Sequence, residues 1–399
     1  MKKKFLWMFM VAAAAMTSCS SFDEPAAMDR EGEVLSRSAT RAGATRVTNE
    51  AAFLDAISEE EEAIEIAANF TLTSAVEVNY PLTLSGANGI VLTTNQPIVC
   101  KSNVNFSNLT IDATTPRGTG AINLEAENIN VLLDGVKITQ HTAGADDDLS
   151  VAGIGIKNAT CNNKLTLRNT TIDLPGNYVR GINMYTVNET YVDLELDGCV
   201  ITCGTNLSLP STYSRLISFS GAVSTKEGTP VLIKNSTLQG AYYIINSNGT
   251  RPIEVSVSDN SVLDGRAGFN IWSEDFTINV ENSTLIGRNN YNGPQETFAN
   301  IVINNNGTKI ARNCDISLTN VTFKMFAKQF SSDATNIQYA IQYRASDQKL
   351  YLDGTITVID DQTGLPAYVV ANQGVSNIQV GYGESYKFDS SEASCKQFI

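Results

Sequence analysis

The chain has 399 residues, 42% of them hydrophobic and only 18% charged, with Asn, Thr, Ser and Gly filling the difference. That balance suits strands and turns better than helices. Net charge is −14 and no basic run follows residue 4, which argues against nucleic acid as a partner, since phosphate binding needs clustered Lys and Arg; it also disfavours polyanionic glycans unless a cation or a local basic patch intervenes.

The first residues read as a targeting segment. Lys2, Lys3 and Lys4 precede an apolar stretch of eleven residues, Phe5 to Ala15, too short to span a bilayer and suited to a secretory signal. Met16-Thr17-Ser18-Cys19 resembles a bacterial lipobox, with Met16 where Leu is usual. Asp23 and Glu24 then resemble the export signal of Bacteroidetes-type surface lipoproteins. Residues 1–19 are therefore expected to be a lipoprotein signal with Cys19 as the lipidated residue. That implies an outer membrane lipoprotein exposed at the cell surface and held through its lipid. Ordinary signal cleavage with an incidental Cys19 is the alternative. Residues 20–46 are polar and weakly patterned, which predicts a flexible tether. Residues 47–62 hold the one expected helix, with Thr48 as N-cap, Ala52, Phe53, Ala56 and Ile57 on one face, and a Glu run after it.

From residue 63 a phrase recurs: VNFSNLTID (104–112), VLLDGVKIT (131–139), LTLRNTTID (165–173), LELDGCVIT (194–202), VLIKNSTLQ (231–239), INVENSTLI (278–286) and ISLTNVTFK (316–324). Period-two alternation on both sides of an Asn or Asp predicts strand, tight turn, strand. Aligned on Asn108, Asp134, Asn169, Asp197, Asn235, Asp259, Asn282 and Asn320, the intervals are 26, 35, 28, 38, 24, 23 and 38 residues. Between turns lies a second phrase, such as AINLEA (121–126), GIGIKNA (153–159), GINMYT (181–186), AYYIINSN (241–248) and GFNIWSE (268–274). Repeats of this length build solenoids or propellers. A leucine-rich repeat lacks its extra Leu here, a propeller needs four strands and a steadier period, and a hexapeptide helix needs period six.

On these phrases, over residues 63–360, the chain resembles the pectate-lyase-like family. The fold class this implies is all-β: a single-stranded right-handed parallel β-helix solenoid with an N-terminal capping helix. Inward aliphatic residues would stack in columns, Ile122, Ile154, Ile182 and Ile301 forming one. The turn Asn would tolerate the left-handed backbone region. If its amide is buried and bonded along the stack, Asn169→Ala or Asn235→Ala should cost roughly 1–3 kcal/mol. The helix would cap the first coil, and residues 361–399, which break the repeat, would form a C-terminal cap. Of the six cysteines beyond the lipobox, Cys199 and Cys203 lie too far apart on one straight strand to bridge each other, so buried free thiols are expected.

In enzymes of the resembled family the substrate groove runs along the outward face of the strand preceding the long loop, here matched to the second phrase. Its outward residues would include Asn123, Glu125, Lys157, Asn183, Tyr185, Tyr243, Asn270, Trp272, Asn304, Gln342 and Arg344. Amides interleaved with aromatics suit sugars, because ring faces stack on C–H surfaces and amides bond hydroxyls; a solvated sheet with chance aromatics is the alternative. Tyr213, Arg215 and Tyr291 would edge this face from the variable loops.

For catalysis, the resemblance implies a Lys or Arg base, often with calcium. Lys157 and Arg180 are the candidates, although neither shows the burial or cationic neighbours that would depress its pKa. The family's hydrolase pattern is missing: His141 stands alone, and Asp146, Asp147 and Asp148 fall in a Gly/Ala-rich loop. Those three are candidate calcium ligands, with a solvated acidic loop as the alternative; no other cofactor is expected. The sequence thus points to a lipid-anchored surface protein that binds a glycan or another surface, in an adhesin-like manner and without catalysis. A polysaccharide lyase or glycoside hydrolase with a divergent site is the alternative, and a structural protein binding another protein is a third.

Overall fold

The structure is a computed structural model and describes residues 43–142, 151–157, 162–176, 178–204, 211–288, 299–325, 338–360, 367–372, 375–390 and 395–398. It is mostly β: parallel sheets stack as a β-solenoid, with one short helix near the N-terminus. One coil shows the plan. Asn130–Asp134, Lys137–Gln140 and Ala152–Lys157 pair in parallel with Asn163–Arg168, Thr171–Leu174 and the start of Arg180–Asp197 in the next coil. These positions define the first, second and third sheets. Among the described strands of the coils from Ala63 on, none pairs with its neighbour in sequence; their ladders run to the coil above or below.

Alternation inside each short strand sends every second side chain inward, and constant register stacks like on like. In the third sheet Ile98, Ile122, Ile154, Ile182, Ile217, Ile245, Phe269, Ile301 and Ile341 form one column. All are fully buried. The expected isoleucine column is therefore present, with Phe269 filling one level. Each such side chain contributes about 1.5–3 kcal/mol through burial, so the coils cohere through the core as well as through the ladders.

The corner between the first and second sheets differs from expectation in register and in chemistry. Asn108, Asn169, Asn235, Asp259, Asn282 and Asn320 all have positive φ. Asp134 and Asp197 do not share their level. Asp134 pairs with Ser107 and Arg168, so Gly135 is the corner residue there, and by the same register Gly198 follows Asp197. Gly135 (φ 63°) and Gly198 (φ 64°) supply the left-handed conformation without a side chain. A Cβ at Gly198 would stand 3.0 Å from Asn169 Oδ1 in the preceding coil, so the glycine also makes room for the asparagine beneath it. Asn169 and Asn235 are exposed, which removes the buried-amide reason for their cost and leaves only backbone preference. Axial amide bonding occurs at this corner where Asn320 Nδ2 donates to Asn282 Oδ1 at 3.1 Å, and it recurs at the opposite corner, between the third and first sheets. Asn162 Nδ2 donates to Asn128 Oδ1 at 3.2 Å, Asn313 Nδ2 to Asp275 Oδ1 at 3.2 Å and Asn377 Nδ2 to Asp347 Oδ1 at 2.6 Å, all six residues at positive φ.

The helix spans Glu50–Ser58, and its N-cap is Asn49 rather than Thr48: Asn49 Oδ1 accepts from Ala52 N at 2.9 Å. Phe53 and Ala56 are buried, Ala52 and Ile57 pack beside them, and Phe53 meets Phe70 with ring centroids 6.0 Å apart. Glu50 accepts from Thr73 N at 2.6 Å and Ser74 N at 3.1 Å, tying the helix to the first turn of the solenoid. A strand, Thr45–Val47, precedes the helix and pairs with Ala63–Ile66; it starts in the last two residues of the stretch read as tether. At the other end, Ala367–Asn372, Ile378–Tyr382, Lys387–Ser390 and Cys395–Phe398 lie within 361–399 and pair in parallel with the coil before them. Val380 and Tyr382, in line with the inward Leu350 and Leu352, are 37% and 47% exposed.

Candidate functional site

Strands of the third sheet begin with a local break in alternation. Leu216 and Ile217 are both fully buried, as are Ile244 and Ile245 one coil later. Two successive inward residues bend the strand and throw Arg215 and Tyr243 outward on one side, with Asn246 and Asn248 outward on the other. The next coil adds Asn270 and Trp272 in the same columns. A hairpin closed by the bridge between Asn305 and Ile310 then brings in Asn306 and Lys309. Asn306 Oδ1 accepts from Thr308 N and Lys309 N, fixing the turn. Arg215, Tyr243, Asn246, Asn248, Asn270, Trp272, Asn306 and Lys309 line an open cleft of about 370 Å³, within the range of small-ligand sites.

The floor of the cleft is a directional amide ladder. Asn304 Nδ2 donates to Asn270 Oδ1 at 2.8 Å, and Asn270 Nδ2 donates to Asn246 Oδ1 at 2.7 Å. Asn246, Asn270 and Asn304 are each at most 2% exposed. Above them Arg344 Nη1 donates to Asn304 Oδ1 at 3.4 Å. Every oxygen in this row accepts from the following coil, so the row ends at Asn246 with its Nδ2 hydrogens unused. Asn246 Nδ2, Ser218 Oγ and Arg215 Nε are buried atoms with no hydrogen-bond partner. Ser218 and Asn246 are register partners, as are Arg215 and Tyr243. Burial draws the Arg215 guanidinium below its ordinary value, partly offset by Tyr243. Lys309 is exposed and donates from Nζ to Asn248 Oδ1. Among the described residues no carboxylate pairs with either cation.

Of the stripe read from the sequence, Tyr243, Asn270, Trp272 and Asn304 come together here, Arg344 joins through Asn304, and Gln342 accepts from Arg344 Nε at 3.2 Å. The others lie elsewhere along the axis. Asn123 accepts from Gly120 N at 2.9 Å and donates to Glu125 at 3.2 Å, in a coil five levels below Asn270, or about 24 Å at the ordinary strand spacing. Asn183 accepts from Arg180 Nη1 at 2.8 Å, so this catalytic candidate is a positioned hydrogen-bond donor outside the cleft lining. Tyr185 is 48% exposed and stands apart from the cleft. The backbone of Lys157 pairs with that of Tyr185; its side chain lies outside the described residues, as do Cys19, Asp146, Asp147, Asp148, Tyr291 and the side chain of Tyr213. His141 Nε2 lies 2.8 Å from Asp112 Oδ1. Among the described residues no group of three or more His, Cys, Asp or Glu is arranged to hold a metal. Cys100, Cys199, Cys203 and Cys314 are buried free thiols, in line with expectation.

Asn246, Asn248, Asn306 and Lys309 were not legible as site residues. Strict alternation counted from Tyr243 turns Asn246 inward. The adjacent pairs Leu216-Ile217 and Ile244-Ile245 were the available signal of the break. Two further clefts lie on the first-sheet side, around Tyr351 and around Asp347. Their polar groups are largely committed to each other, with Lys349 on Asp315 at 3.2 Å and Asn377 on Asp347.

No family model matches the chain, and no curated protein matches it in sequence. Among solved structures, it is similar to that of the Streptococcus pneumoniae surface protein and adhesin PfbA, with 12% identity, 87% of this chain and 97% of that chain covered, and a TM-score of 0.39.

Proposed function

We propose that this is a surface protein, anchored through Cys19, that binds a glycan in the third-sheet cleft and does so without catalysis. The observation that carries the reading is the convergence of Trp272 and Tyr243 with Asn246, Asn248, Asn270 and Asn306 on contiguous coils. Aromatic faces take the C–H side of a sugar ring while amides bond its hydroxyls. The solenoid holds these groups on paired strands, so little ordering cost opposes binding. Rigid presentation by aromatic and amide groups, with no carboxylate or histidine among the described lining residues, supports a binding site.

A glycan array followed by titration of the strongest ligand tests it. Trp272→Ala is expected to cost about 2 kcal/mol, roughly thirtyfold in Kd. Tyr185→Ala, outside the cleft, is expected to bind as wild type. Unchanged binding by Trp272→Ala would remove the cleft from consideration. Release of unsaturated products from a polysaccharide, abolished by Lys157→Ala, would replace binding with lyase chemistry.

A further inference from the structure

We infer that the glycan bound in the cleft carries an isolated acidic substituent, a carboxylate or a sulfate ester, seated between Arg215 and Lys309. The inference rests on the glycan-binding reading and adds to it the chemical class of the ligand.

The unused hydrogen-bonding capacity of the cleft is almost wholly of one kind. Asn270 has both amide groups committed within the ladder, and the ladder runs so that its free end, Asn246 Nδ2, is a donor. Arg215 Nε is a second buried donor without a partner, and Lys309 adds an ammonium group to the same lining. A neutral sugar needs acceptors as well as donors, because each hydroxyl does both. Donors with no carboxylate among the lining residues fit an oxyanion, and a buried unsatisfied donor is a standing cost that an acceptor on the ligand removes.

The rest of the molecule limits how much negative charge the ligand carries. The chain has net charge −14, and Glu274 and Asp275 stand exposed just past Trp272. A continuous polyanion leaving the cleft would run over this acidic surface. One acidic group held inside it is shielded from charges beyond roughly 8 Å at physiological salt. The local basic patch therefore selects a single acidic residue against a repulsive background.

The experiment compares three arms on the full-length protein: neutral oligosaccharides, the same backbones bearing one uronic acid or one sulfate, and polyanionic chains. The singly acidic arm is expected to bind at least tenfold tighter than the neutral and the polyanionic arms, and whichever of carboxylate or sulfate is preferred names the source. Arg215→Gln and Lys309→Gln are each expected to erase at least tenfold of that preference. Lys309 is exposed, so its variant keeps the test open should Arg215→Gln fail to fold. Neutral and acidic arms bound equally, with both lost in Trp272→Ala, would overturn the acidic inference and leave the glycan reading standing. No binding in any arm would overturn both.

Discussion

Asn270→Ala separates the energetics of the buried amide ladder from those of the exposed corner asparagines. The Asn270 side chain is 2% exposed and sits in the middle of the row. Its removal orphans two buried groups, Asn246 Oδ1 and Asn304 Nδ2. Each such group costs about 1–3 kcal/mol when left unpaired, and the open side of the cleft admits water, which places the total near the lower end, at about 2–3 kcal/mol. Asn235→Ala, by contrast, loses an exposed amide at φ 47° and should cost about 1 kcal/mol from backbone preference alone. Urea denaturation followed by far-ultraviolet circular dichroism reads both, provided the slope with denaturant stays constant between variants. Asn235→Ala costing as much as Asn270→Ala would refute the ladder argument, and so would an Asn270→Ala effect within 0.5 kcal/mol of zero, about the size seen for ordinary surface changes.

The capping contacts predict an acid-sensitive N-terminus. Thr73 N–H, and with it Ser74 N–H and the Thr73 hydroxyl, hold the Glu50 carboxylate below its ordinary value of 4.5. Its contribution is therefore complete above that value and is lost as pH falls through the depressed one; hydrogen exchange at the Thr73 and Ser74 amides should accelerate there. Deleting 48–58, which exposes the first coil and the ring of Phe70, should produce aggregation; a soluble monomer on size exclusion would count against a capping role. Burial pushes the Cys199 thiol up to about 11 and the Cys314 thiol to about 12. Both stay protonated at pH 8, so mass spectrometry should find them, with buried Cys100, unalkylated in native protein and alkylated after denaturation.

The stack was legible in the sequence because its signals are local. Stretches such as LTLRNTTIDLP carry alternation on both sides of a residue that tolerates positive φ, and repetition shows that the two strands belong to different sheets. The corner register was harder. Arg168-Asn169 and Asp134-Gly135 each put a polar side chain beside the left-handed residue, and only pairing with the adjacent coil shows that Gly135, not Asp134, occupies it. The cleft was legible in part. Tyr243, Asn270 and Trp272 follow from alternation, but Asn246 and Asn248 depend on a break in it. Lys309 arrives from a hairpin outside the repeat, where no periodic signal reaches.

The short corner also decides where this chain tolerates added length. Between the first and second sheets a short connection led by a left-handed residue makes the turn at most levels, and it lengthens by one residue where Asp259 and Asn260 are both at positive φ. Between the second and third sheets the connection varies from a single residue, between Gly265 and Ala267, to long stretches such as those from Gly287 to Ala299 and from Met325 to Gln338. New segments enter on that side, and also between the third and first sheets, where the hairpin bridged at Asn305 and Ile310 is inserted, and both connections flank the strand that carries the cleft. Recognition can therefore be remodelled by insertion while the stacking register stays untouched, so grafted loops after Gly287 should alter what is bound before they alter whether the protein folds.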